Sequence, residues 1–147
     1  MKQAGFTLVE LIAVVVILGI LATVAVPQYR KTMERARGAE AYSGLAQIKQ
    51  AESIYYAANP DANPQYRPSA NTPGTPIDAG ALAALELTLP QRDWNFHIIT
   101  VGIGPGATFT ATATRKSLAC SGTIVTINQT GDINDTPWKN CVNTVAF

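Results

Sequence analysis

Ionised side chains are scarce in this sequence. Asp, Glu, Lys and Arg make up 14% of it, against about 25% in ordinary soluble domains. The scarcity favours neither sign: 11 basic and 10 acidic residues leave a formal charge of +1, so the basic excess of a general nucleic-acid binder is missing. Histidine occurs once, at His97, and cysteine twice, at Cys120 and Cys141. That is too few ligands for a zinc site. No phosphate-binding loop with its Lys is present, which excludes a nucleotide-driven motor. What remains suits one domain behind one long apolar segment in 147 residues.

The apolar segment runs from Phe6 to Val26, FTLVELIAVVVILGILATVAV, with Glu10 its single charge. As a helix of about 21 residues it measures ~31 Å, the thickness of a bilayer's hydrocarbon core. Three ordinary readings apply. A cleaved secretory signal would use Lys2 as its basic end and Thr23 and Ala25 at the cut. The stretch is long for that, and it holds a carboxylate. A plain membrane anchor fits the length. Counting Arg30, Lys31, Arg35 and Arg37 behind the segment against Lys2 ahead of it would leave the C-terminal part in the cytoplasm. Cys120 and Cys141 point the other way. Two cysteines behind an export-like N-terminus read most simply as one disulfide, with two free thiols the alternative. Such a bond closes a loop of about 20 residues and stabilises the fold by about 3 kcal/mol. The third reading, a buried helix of a soluble protein, conflicts with apolarity on every face.

Glu10 is the informative residue. A carboxylate at membrane depth costs about 2.5–3.5 kcal/mol, and the segment supplies no Lys or Arg to offset it. A free amino group at Phe6, made by cutting after Gly5, would be such a cation. It could meet Glu10 within one helix or, more usefully, on a neighbouring subunit, where the pair would set axial register.

The run Gly5-Phe6-Thr7-Leu8-Val9-Glu10, the apolar stretch behind it and Pro27 resemble the processing and assembly signature of type IV pilins and their pseudopilin relatives. The resemblance implies that residues 1–5 are a short leader, which a prepilin peptidase removes between Gly5 and Phe6 before methylating the new amino terminus of Phe6. It implies that Glu10 helps to dock subunits into a growing filament, and that the stretch from Gly19 to Pro27 is partly unwound there. The implied partners are identical pilin subunits, the prepilin peptidase, and a pilus assembly platform with its separate ATPase. The implied location is the bacterial inner membrane for the precursor, with its head outside the cytoplasm, and then an extracellular filament. No cofactor is expected.

Pro27 removes the helical partner of the Thr23 carbonyl, so a kink is expected there, with Gly19 a second weak point. Behind it Tyr42, Leu45, Ile48, Ala51 and Tyr55 follow three- and four-residue steps, while Arg35, Lys49 and Glu52 take other faces. One helix of about 80 Å through Ala58 results, its 6–27 part spanning the membrane or filament core and its 28–58 part amphipathic. Residues 59–147 are expected to form a globular head. Asn59 to Pro76, with five prolines, reads as a loop, and Asp78 caps a short helix through Glu86 with Leu82 and Leu85 inward. Asn95–Val101, Thr108–Arg115 and Thr123–Asn128 read as strands, and Val142–Phe147 as a short edge strand. The fold class is therefore α+β: a long helix on a three- or four-stranded antiparallel sheet, with a C-terminal disulfide loop. That matches the pilin head, and Trp138-x-x-Cys141 resembles the family's C-terminal ending.

Other constellations carry less. Gly102-Ile103-Gly104-Pro105-Gly106 lacks a following helix and reads as a hairpin turn. His97 reads as a strand-packing residue. Asp132, Asn134 and Asp135 could ligate calcium, as pseudopilins typically do in place of a disulfide, but they also fit an exposed turn around Gly131. Asn128-Gln129-Thr130 and Asn134-Asp135-Thr136 fit the glycosylation triplet. Tyr29, Tyr42, Tyr55 and Tyr56 along the helix are explained by packing more cheaply than by electron conduction. Arg115, Lys116 and Lys139 are few charges for a DNA-capturing patch. The leading reading is a non-catalytic structural subunit of a type IV pilus. The alternatives are a pseudopilin of a type II secretion system, a minor pilin, or a membrane-anchored binding module that never polymerises.

Overall fold

The computed structural model describes residues 6–58, 77, 82–83, 85–89, 91–101, 106–116 and 120–144. Helix α1 spans Leu8–Ala58, 51 residues in one unbroken element and about 77 Å long. It stays helical through both Gly19 and Pro27. Among the described residues its first part packs against nothing: the most apolar window has a mean hydropathy of 2.8 and none of it is buried. Leu8 through Val26 are exposed at every turn. By length and composition this is a helix able to cross a membrane.

The second part carries the head. Glu34, Gly38, Ala41, Leu45, Ile48 and Glu52 are buried, and their steps of four and three residues place them on one stripe. Here the expectation for Glu52 fails: it is fully buried, because it sits four residues beyond Ile48 on that same stripe. Two glycines let aromatic rings approach the helix backbone. A Cβ on Gly38 would lie 2.2 Å from Cη2 of Trp138, and one on Gly44 would lie 2.4 Å from Cζ of Phe96.

Four strands follow: β1 Trp94–Val101, β2 Thr108–Arg115, β3 Ile124–Asn128 and β4 Ile133–Asn134. They form an antiparallel sheet in chain order, with Trp94 opposite Arg115, Ala111 opposite Ile127 and Ile127 opposite Ile133. Alternation does the work here. Phe109, Ala111, Ala113 and Arg115 of β2 point inward and are buried, while the threonines between them face outward. Phe96, Ile98, Phe109, Val125 and Ile127 meet Ala41, Leu45 and Ile48 of α1 in one core.

The expected edge strand at Val142–Phe147 is not formed. Thr136–Thr144 is a helix, α2, and residues 145–147 lie outside the described ones. Asp135 starts it, its carbonyl accepting the amide of Lys139 at 2.9 Å, and Pro137 sits in the first turn, where a missing amide costs nothing. Val142 is buried one turn after Trp138, a helical spacing that the β-branched composition concealed. The fourth strand is the two-residue β4 instead. Cys120 and Cys141 are joined, their Cα atoms 5.8 Å apart, which ties the turn before β3 to α2. The Asn59–Pro76 loop, the Asp78 cap and residues 102–105 of the glycine turn lie outside the described residues. Of the short helix expected there, Leu85 is buried, Leu82 packs on the core, and Glu86 closes the turn at φ +53°.

Candidate functional site

The start of α1 is built by two residues joined by three hydrogen bonds. Thr7 precedes the first helical residue, and Glu10 occupies the third helical position. The Thr7 amide donates to Glu10 Oε2 at 2.9 Å, the Thr7 hydroxyl donates to the same oxygen at 2.8 Å, and the Glu10 amide donates to Thr7 Oγ1 at 3.3 Å. This is a capping box, in which cap residue and third-position carboxylate satisfy each other's orphan amides. The Thr-x-x-Glu spacing is its signal in the sequence. Both bonds to the carboxylate fall on Oε2, so among the described residues Oε1 stays open to a cation from elsewhere. Phe6 is 85% exposed beside it, and Gly5 lies outside the described residues. The structure therefore brings Glu10 to Thr7 rather than to Phe6.

A second polar cluster locks helix to sheet. Arg115 of β2 is fully buried and clamps Glu34 of α1 with two bonds, Nε to Oε1 at 2.6 Å and Nη2 to Oε2 at 3.3 Å. Its Nη1 donates to the Asp93 carbonyl at 2.7 Å, and the guanidinium lies 5.7 Å from the centre of the Trp94 ring. Arg37 donates to Glu34 at 3.0 Å, and its carbonyl accepts the Trp94 indole N–H at 2.9 Å. Glu40 accepts the Asp93 amide at 3.1 Å. Burial pushes the Glu34 carboxyl up, but bonds and charge from Arg115 and Arg37 outweigh it and hold it below the ordinary range. Asp93 is likewise lowered, burial opposing it and Arg92, Arg115 and Arg37 prevailing. Arg115 is thus a structural ion-pair residue, and it leaves the surface patch proposed with Lys116 and Lys139.

The acidic turn is also consumed internally. Asn128 Oδ1 accepts the amides of Gly131 and Asp132, and Asp132 Oδ2 accepts the Thr130 hydroxyl. Gly131, at φ +97°, turns the chain under Lys49. Asp135 accepts the Tyr42 hydroxyl at 2.5 Å and the Lys139 ammonium at 2.7 Å, which raises the Tyr42 hydroxyl's pKa, burial first and Asp135 second. His97 is buried in β1, 3.2 Å from the Thr114 hydroxyl.

A family model described as the prokaryotic N-terminal methylation motif matches residues 1–26. A fimbrial protein of Pseudomonas aeruginosa is 30% identical over 147 residues, covering 95% of this chain and 84% of that protein. A type IV major fimbrial protein FimA of Dichelobacter nodosus is 44% identical over 68 residues, 43% of this chain and 42% of its own. The type IV major pilin protein PilA of Myxococcus xanthus is 38% identical over 56 residues, 38% of this chain and 26% of that protein. No solved structure matches.

Proposed function

This chain belongs to the type IV pilin family and is a structural subunit of a pilus, and from that premise we propose its route into the filament. The subunit waits in the inner membrane with its head outside the cytoplasm. A prepilin peptidase cuts between Gly5 and Phe6 and methylates the exposed amine of Phe6. An assembly platform, driven by a separate ATPase, then draws the helix out. The chain itself catalyses nothing.

One observation carries the reading: the unburied apolar surface of α1 from Leu8 to Val26, closed at its start by Glu10. Such a surface cannot stay in water, at a cost of about 25 cal/mol per Å² exposed. Outside the bilayer it must pack against copies of itself. Glu10 makes that packing selective. Before the cut, Phe6 offers only an amide; after it, Phe6 carries a cation that can reach the open Oε1 of Glu10 on a neighbour and neutralise it. Cleavage thereby gates assembly by charge. Mass spectrometry of filaments sheared from native cells tests this. The dominant chain should begin at methylated Phe6 and hold the Cys120–Cys141 bond. A chain that is cut but stays in the membrane fraction would instead be a pseudopilin or minor pilin.

A further inference from the structure

We propose that Arg30, Lys31 and Arg35 form a collar that binds the phosphates of anionic phospholipids on the head's side of the membrane before assembly. The inference rests on the reading that the subunit is stored in a bilayer. It begins from a cost. Cations close behind a spanning segment resist being carried across, yet four of them stand here, Arg30, Lys31, Arg35 and Arg37. The head uses one: Arg37 pairs with Glu34. The other three make no ion pair among the described residues, and Arg30 and Arg35 are exposed while Lys31 is half-buried.

Among the described residues each nearby carboxylate is engaged elsewhere. Glu34 is buried beneath Arg115, Glu40 accepts the Asp93 amide, and Asp135 is held by Tyr42 and Lys139. Lys139 of α2 lines a cleft of about 280 Å³ with Arg35, over Trp138 and Val142, and its own pairing with Asp135 leaves that carboxylate no free charge for Arg35.

The level is right for phosphate. The apolar run ends at Val26, and Tyr29 behind it is 66% exposed, an aromatic where membrane helices place interfacial anchors. Arg30 and Lys31 follow about 6 and 7.5 Å along the helix from Val26, inside a headgroup layer about 5–8 Å deep. Arg35 stands about 13 Å out, and its long side chain can lean back toward the surface. The collar sets the height of the head above the bilayer and must be released on extraction. A filament neighbour's carboxylates are the rival occupant. They explain neither the interfacial Tyr29 nor the position of the cations directly after the span.

The test places the full chain in nanodiscs of equal phosphatidylglycerol and phosphatidylcholine and counts retained lipids by native mass spectrometry. The native chain should retain the anionic lipid in at least about fivefold excess, the equivalent of one such contact. The triple variant Arg30→Gln, Lys31→Gln, Arg35→Gln should fall to parity, with its tryptophan emission unchanged because none of the three is buried in the head. Parity in the native chain overturns the proposal, as does an excess that survives in the variant. Native parity together with filament loss in the variant would assign the collar to neighbouring subunits instead. A chain that does not enter the discs removes the storage reading itself, whereas one that enters without lipid preference removes only the collar.

Discussion

Residues 8–26 and residues 34–52 belong to the same helix, yet they present different surfaces. The first stretch is apolar on every face and buries nothing; the second buries a single stripe and ends that stripe at Glu34 and Glu52. Gly19 and Gly44 make the contrast concrete. A Cβ on Gly19 meets nothing within 4 Å, while one on Gly44 runs into Phe96. The first half is unfinished as a monomer and needs an external partner. The second half has its partner already, in the sheet.

Breaking the second half should therefore unfold the head. Arg115→Leu leaves Glu34 buried without its clamp, and removing one partner of a buried pair costs about 3–5 kcal/mol. Denaturant unfolding of the full chain in detergent, followed by Trp94 and Trp138 emission, should show a loss of that size. A loss under ~1 kcal/mol would show that the ion pair does not lock helix to sheet. Gly44→Ala should cost about 1–3 kcal/mol by overpacking against Phe96. Gly19→Ala should leave head unfolding unchanged in the same assay. Equal effects at both glycines would erase the distinction between the halves.

Acid sharpens the comparison further. Glu34, Asp93 and Asp135 all have folded-state pKa values held low, so their contribution is complete above the unfolded carboxyl values of about 4 and fades as pH falls through the lowered ones. Heating at pH 7 and pH 3 should show the melting temperature of the head drop by more than about 5 °C at the lower pH. The helicity of residues 8–26 in detergent should not follow it.

Much of this was legible in residue order. The apolar run, the spacing of Phe6 and Glu10, and the alternation that makes β2 needed no structure. Charge masks the burial of three residues, Arg115, Glu34 and Glu52. Arg115 follows Phe109, Ala111 and Ala113 at the same parity, so alternation placed it inward while its charge suggested a surface. Glu34 and Glu52 continue the α1 stripe in the same way. For α2, Asn-Asp-Thr-Pro is the start signal of a helix, against which the β-branched Val142 favours a strand. The Glu34–Arg115 pairing itself, 81 residues apart, depends on tertiary placement that no local pattern carries.

The account stands most directly on Glu10. Glu10→Val should still insert and still be cut after Gly5, because neither step needs the carboxylate, and cells carrying it should yield few or no sheared filaments. Normal filament yield from correctly processed Glu10→Val subunits would contradict the claim that this carboxylate joins one helix to the next.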